Sequence, residues 1–540
     1  MASFRFRLFI LLLLTGAIGV ALLYHLSSGG VGSAVTTHAP GDAETTVTTL
    51  RAERAESLRT SPVPLKHRLV HLDLKGAPPK VDFYGKLFPF LHQLNATGIL
   101  IEYEDMFPYW GPLQPLAAGN AYSRQDISQI RTFARESNLM IVPLVQTFGH
   151  LEFALKLSEF SSLREVQHSP QALCPSRNES LALVTTMVEQ VLALHPHIKY
   201  LHIGCDEVYD LGECPLCRVQ DRDKLFLSHV RHVAGHVRAA GVRPIIWDDM
   251  FRSTAEEVIQ QSGVAPLVDV MVWEYRPLLS QHLDRAIWPK YSRLFQGVWT
   301  ATAFKGALSP RRLLPDAFYH LRNQRAWLET LRNNPLPLRG VVLTGWQRYD
   351  HFAALCELLP AGLPSLALGL TYLRHGHLEG EPAVKLQHAL GCSRPPVAPL
   401  LEPRPPLLFC TFPGSKVHLG IQQLATVIEQ KKIMLRDSHF EGWLSSYNRM
   451  HNFSSPFHVL EATKNLSEIL VTVRHLQHAL GEALPEVYDG NTVSEWMDTT
   501  LLPELKEVEA LQVDAERLLA RSTWPRRPLA PAKRETTYMP

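Results

Sequence analysis

Cysteine is scarce in this chain. Seven in 540 residues fall far below the density of a small disulfide-held scaffold, and the odd number leaves at least one thiol unpaired within the chain or bonded elsewhere. A dominant charge is missing too: 54 Lys and Arg against 52 Asp and Glu leave a formal charge of +2, which offers no electrostatic footprint for nucleic acid. Disorder over the whole length is excluded, because 46% hydrophobic and 20% charged residues suffice for a sizeable core. Internal repeats are absent, and so is an H-E-x-x-H zinc signature. At roughly 100 to 200 residues per domain, the length allows two to four domains or one large barrel with additions.

Long apolar runs are missing with one exception. Residues 8–24, LFILLLLTGAIGVALLY, carry no charge and follow Arg5 and Arg7. At about 1.5 Å per residue such a run covers roughly 25 Å, which suits a thin early-secretory membrane. It exceeds a usual signal-peptide core, so residues 1–25 read as a cytosolic leader and signal-anchor helix. The alternative is a cleaved signal, processed near Gly32-Ser33-Ala34, which would leave the protein secreted or vesicular. The flanking arginines predict a single-pass type II membrane protein of the secretory pathway, Golgi by preference, with its body lumenal. Asn95, Asn178, Asn452 and Asn465 stand in Asn-x-Ser/Thr sequons and agree with that side of the membrane. Residues 26–66, rich in Ser, Thr, Gly and Ala, read as a flexible stem.

From residue 67 the pattern becomes regular. Eight short apolar or β-branched runs (RLVHLDL, TGILIEYE, LMIVPLVQ, YLHIGCD, RPIIWDD, VDVMVWEY, GVWTATAF and RGVVLTGW) alternate with stretches of helical period. One of these, SRQDISQIRTFARESN, opens with Ser123 and Asp126 in capping-box spacing. Eight buried-looking strands separated by helices predict an α/β protein, a TIM (β/α)8 barrel over 67–376. A proline-rich connector (377–415), a helical C-terminal module (416–523) and a basic tail (524–540) follow. The module either packs on the barrel or forms a homodimer contact.

Reacting groups of such a barrel sit at the C-terminal ends of its strands. Those ends supply Asp73 and Lys75, then Glu102, Glu104 and Asp105, then Gln146 and His150. Asp206 and Glu207 follow, then Trp247, Asp248 and Asp249, then Trp273, Glu274 and Tyr275, then Lys305, and last Trp346 to Asp350. Carboxylates suit acid/base work on a glycosidic bond, and tryptophan faces stack on the C–H surface of a sugar ring. Asp206 and Glu207 are neighbours, so both reach one pocket only if the strand has ended and the chain is turning.

His202-x-Gly204-x-Asp206-Glu207 resembles the H-x-G-G-D-E signature of the family 20 glycoside hydrolases, the β-N-acetylhexosaminidases, and QTFGH, ending at His150, resembles that family's strand-three Gly-His motif. The resemblance implies a retaining exo-enzyme acting on terminal β-linked GalNAc or GlcNAc of glycans through an oxazolinium intermediate, with no cofactor and no metal. Carried over, Glu207 is the general acid and base, and Asp206 holds the acetamido N–H. Glu207 then needs a raised pKa, with the charge of Asp206 as one source. His150, Glu104, Asp105, Trp247, Asp248, Trp273, Tyr275 and Trp346 are the remaining candidates for substrate contact. Two departures stand out. Cys205 replaces the second glycine, and the arginine that many members carry on the first strand is missing, with Lys75 the nearest cation.

Two rivals remain open. A metal-dependent hydrolase would draw on His71, Asp73, His150, His202 and Asp248, although these show no recognisable zinc spacing, and Cys214-Pro-Leu-Cys217 is either half a zinc site or a local disulfide. A catalytically silent glycan-binding barrel is the other, against which the intact Asp206–Glu207 pair argues.

Overall fold

The structure is a computed structural model and describes residues 58–403 and 405–529. Among the described residues there are ten strands: β1 (His67–Asp73), β2 (Gly98–Glu102), β3 (Met140–Leu144), β4 (Arg164–Val166), β5 (Ser169–Leu173), β6 (Tyr200–His202), β7 (Arg243–Trp247), β8 (Asp269–Trp273), β9 (Val298–Lys305) and β10 (Leu338–Gly345). Eight close into a barrel in the order β1-β10-β9-β8-β7-β6-β3-β2, every pairing parallel. The expected (β/α)8 barrel is therefore present, each of the eight runs supplying one strand. The antiparallel pair β4–β5 is an insertion between β3 and β6. The seam beside that insertion is thin: β3 and β6 pair only at Leu144 and His202.

Alternation along the strands sorts side chains between bore and shell. Leu69, Leu100, Val142, Leu144, Ile245, Met271, Trp299 and Val342 form a buried cluster within the bore. Their neighbours Val70, Leu72, Ile99, Ile101, Val341 and Leu343 pack outward against the helices. The same inward parity carries the chain upward from apolar to polar, as in β1 from Leu69 to His71 to Asp73. That gradient turns the top of the bore into a site.

Helix Arg124–Glu136 carries the expected capping box, with Ser123 Oγ accepting from the Asp126 N–H and Asp126 accepting from the Ser123 N–H. Residues 58–66, which composition placed in the stem, pack on the barrel: Leu58 and Leu65 are buried, and the Thr60 N–H donates to the Gly376 carbonyl. Part of the proline-rich stretch is helical (Glu381–Leu390), and a Cys392–Cys410 disulfide closes it. The C-terminal helices have a core of their own, around Met434, Leu444, Val459, Leu466 and Leu511. They also join the barrel through Leu476, Leu480 and Tyr488.

The membrane assignment is corrected. Among the described residues no helix is long and apolar enough to cross a membrane, and the run 8–24 lies outside them. The apolar helix Leu359–His375 spends its hydrophobicity on burial against β9 and β10. Nothing in the described fold carries a type II, Golgi or other membrane placement. Of the four sequon asparagines, Asn178 and Asn465 are exposed, whereas Asn95 and Asn452 are half-buried and Asn95 Oδ1 accepts from Arg374.

Candidate active site

Strand β6 stops at His202, and the next residues turn sharply. Gly204, Cys205 and Glu207 all have φ between 50° and 67°, a region that L side chains enter at a cost of about 1 to 3 kcal/mol each. This turn brings the side chains of neighbouring residues 206 and 207 into one pocket, which an extended strand forbids. Two glycines make room for it. A Cβ on Gly204 would overlap the Gln146 side chain, and one on Gly149 would overlap the Asp206 carbonyl. His150 follows Gly149 with φ 52°, and its ring meets both carboxylates: Nε2 lies 3.5 Å from Asp206 Oδ2 and 3.3 Å from Glu207 Oε2.

A cavity of about 210 Å³ opens over this pair, lined by Lys75, Gln146, His150, Asp206, Glu207, Trp247, Trp273, Tyr275, Gly306, Trp346, Arg348 and Tyr349. It is smaller than the roughly 300 to 1,000 Å³ of sites for drug-sized ligands, the scale of a single terminal ring. Tryptophans 247, 273 and 346 wall it, and Tyr275 Oη accepts from the Trp346 indole N–H at 3.1 Å. Asp206 Oδ1 is buried with no hydrogen-bond partner.

Burial alone would lower His150, but Asp206, Glu207 and Glu152 outweigh it and raise the ring to about 10. Burial raises Asp206, with His150 opposing. Glu207 runs against expectation: the hydrogen bond with His150 holds it below the usual carboxylate value despite burial, and the Tyr209 hydroxyl, donating to Oε1 at 3.0 Å, adds to this. Of this pair, His150 rather than Glu207 therefore carries the proton.

Residues 94–300 match the model of the glycosyl hydrolase family 20 catalytic domain. Over 471 residues the chain is 42% identical to human Hexosaminidase D, covering 85% of this chain and 96% of that one. The chain belongs to glycosyl hydrolase family 20. Bovine Hexosaminidase D is 47% identical over 336 residues, 60% of this chain and 97% of its own. Among solved structures, a β-N-acetylhexosaminidase from Bacteroides fragilis aligns at a TM-score of 0.45 and 15% identity, covering 62% of this chain and 74% of that one.

Within this family 20 site, seven of the ten candidates from the sequence line the pocket and three do not. Asp248 faces away: it is fully buried, paired with Arg252 at 2.7 Å, and accepts from the Trp273 N–H and the Tyr291 hydroxyl. Parity explains this, because Trp247 points inward and Asp248 must then point outward. The next inward position is Asp249, passed over as a candidate. Its Oδ2 accepts from the Glu207 N–H at 2.8 Å and its Oδ1 from the Trp273 indole at 3.1 Å. Burial and the Asp206 charge raise it to about 7. Strand parity at WDD was the signal that could have found it.

Glu104 and Asp105 lie in a buried group with His351, which stands 3.0 Å and 3.5 Å from them. Lys75 is held by Asp73, Glu102 and Glu104 at 3.1, 3.4 and 3.6 Å. The five residues of the metal reading do not come together. Among the described residues the groupings able to hold an ion are Glu104–Asp105–His351 and Glu165–Cys174–Cys214–Cys217.

Arg348, after β10, lines the pocket, and its guanidinium donates to both Glu495 oxygens at 2.6 Å and to the carbonyls of Lys75 and Ala353 at 2.7 Å. Four of its five N–H groups are thereby engaged. Glu495 comes from the C-terminal helices, a contact 147 residues away in sequence that no local motif announces.

Proposed function

We propose that this chain is a retaining exo-β-N-acetylhexosaminidase that removes terminal β-linked N-acetylgalactosamine or N-acetylglucosamine, with the substrate's 2-acetamido oxygen as nucleophile. The observation that carries the reading is the Asp206–Glu207 turn: one carboxylate with an unpartnered buried oxygen, beside a second that lies 3.3 Å from the His150 ring, at the wall of a tryptophan-lined pocket for one ring. Similarity to Hexosaminidase D supports it.

In this reading Asp206 Oδ1 accepts the acetamido N–H and offsets the positive charge that grows on nitrogen as the oxazolinium ring closes. Tyr275, its oxygen already engaged by Trp346, donates to the acetamido oxygen. Glu207 protonates the leaving glycosidic oxygen and then activates water. Its proton comes from His150, whose Nε2 is 3.3 Å away: sugar entering the pocket strips solvent from the ionised carboxylate, and the proton crosses to it. No enzyme carboxylate becomes glycosylated, which places the reaction among the substrate-assisted exceptions to the two-carboxylate scheme.

The test is release of chromophore from aryl N-acetyl-β-galactosaminide and aryl N-acetyl-β-glucosaminide by the purified chain between pH 4 and 8. Glu207→Gln is expected to abolish turnover of substrates whose leaving group needs acid assistance. Asp206→Asn is expected to impair the acetamido-dependent step. Wild-type rates in both variants would sink the assignment, and no turnover by the wild type at any pH would leave a binding protein.

A further inference from the structure

We propose that Cys174, Cys214, Cys217 and Glu165 form a tetrahedral zinc site that fastens the loop after Glu207 to the β4–β5 hairpin. This stands apart from the sugar pocket and does not rest on the hydrolase reading. Glu165 lies on β4, Cys174 directly follows β5, and the Cys214-Pro-Leu-Cys217 pair lies on the loop between Glu207 and helix Arg222–Ala239.

The Cys174 sulfur is 3.4 Å from that of Cys214 and 3.5 Å from that of Cys217. A carboxylate oxygen of Glu165 and the three sulfurs all lie within 4.8 Å of one another. Two thiolates about 2.3 Å from one tetrahedral zinc stand roughly 3.8 Å apart, so a small inflation of the cluster accommodates the ion. A disulfide would need one pair to close to about 2.05 Å and would strand the third sulfur.

Glu165 supplies an independent observation. It is 97% buried, at 3% exposure, and its Oε1 accepts from the backbone N–H groups of Gly212, Glu213 and Cys214 at 2.9–3.0 Å, while Oε2 is buried with no partner. Three soft sulfurs and one anionic oxygen are a donor set for zinc rather than for calcium or magnesium. Each thiol gives its proton to solvent as the ion enters, so affinity falls at acid pH.

The consequence reaches the pocket through backbone. Gln171 on β5 donates to the Glu207 carbonyl at 2.8 Å, and Tyr209 on the fastened loop donates to the Glu207 side chain. An ion joining hairpin and loop therefore braces these two of the partners of Glu207.

The experiment is elemental analysis of the full chain purified with reductant, followed by replacement with Co2+. Expected are close to one zinc per chain, a thiolate-to-cobalt charge-transfer band, protection of these three thiols from alkylation by zinc, and loss of the metal in Cys214→Ser. If Cys214→Ser does not fold, the wild-type cobalt spectrum and Glu165→Gln decide. Gln keeps the acceptor for the three N–H groups but loses the anionic ligand, and metal affinity is expected to fall about 10-fold or more. Metal far below stoichiometry without a cobalt band would overturn the proposal, as would a disulfide among the three cysteines in peptide mapping of protein purified without reductant.

Discussion

Replacing His150 by Gln removes the ring that bridges Asp206 and Glu207 while keeping an amide donor of similar reach. The two contacts, 3.3 and 3.5 Å, are longer than the roughly 2.7 to 2.9 Å of a tight charge-assisted bond. The loss is therefore placed in the lower half of the ~1.5 to 3 kcal/mol for hydrogen bonds to charged groups, at about 2 kcal/mol. That corresponds to a ~30-fold fall in kcat/KM. The pH profile is the sharper readout. In the wild type the last proton of the His150–Glu207 pair leaves from a ring raised from 6.5 to about 10, so the basic limb of kcat/KM lies high. In the variant that limb reports Glu207 without its partner and is expected more than one pH unit lower. Stability follows the same sign. A group whose folded pKa is raised contributes fully below about 6.5 and loses that contribution as pH rises to about 10. The wild type's advantage in urea midpoint over His150→Gln should accordingly narrow across that window. An unmoved basic limb with a rate within threefold of wild type, or an advantage that widens with pH, would refute the reasoning.

Glu495→Gln removes the bidentate partner of a mostly buried guanidinium and should cost about 2 kcal/mol in urea unfolding, discounted because Glu495 is itself 33% exposed. A raised KM should accompany it, since Arg348 lines the pocket, and an unchanged KM would separate the contact from the site. Gly204→Ala meets both a left-handed φ and the Gln146 side chain, for an expected loss of about 2 to 4 kcal/mol seen as a lower Tm. Asp249→Asn replaces one of two acceptor oxygens with a donor and should lower kcat/KM about 10-fold or more by loosening the Glu207 backbone or the Trp273 indole. Asp248→Asn should act instead on stability, because Asp248 pairs with Arg252 outside the pocket.

Strands were legible because burial on both faces leaves continuous apolar runs that stop at turn residues, and each of the eight runs became a barrel strand. His150, Asp206 and Glu207 were legible for a related reason: strand ends of a parallel barrel are where reacting groups gather, and the motif spacing of His202 to Glu207 marks the turn. The membrane reading rested on residues 8–24, the arginines before them and the sequons, and hydrophobicity of one segment is silent about the packing of every other. The direction of the Glu207 shift was misjudged because proximity of Asp206 is visible in the sequence while the ring of His150, 57 positions earlier, is not visibly closer still.

The chain by itself determined the period of its strands, their inward and outward faces, and the residue types that crown the bore, because these follow from local alternation and short-range sterics. Only the tertiary structure decided which crowning groups meet: His150 against two carboxylates, Glu495 against Arg348, Cys174 against a CxxC pair forty residues on. Such contacts depend on how strand order and an inserted hairpin fold distant segments onto one another, and hydrogen bonds and ion pairs act over a few ångströms in space, whatever the separation along the chain.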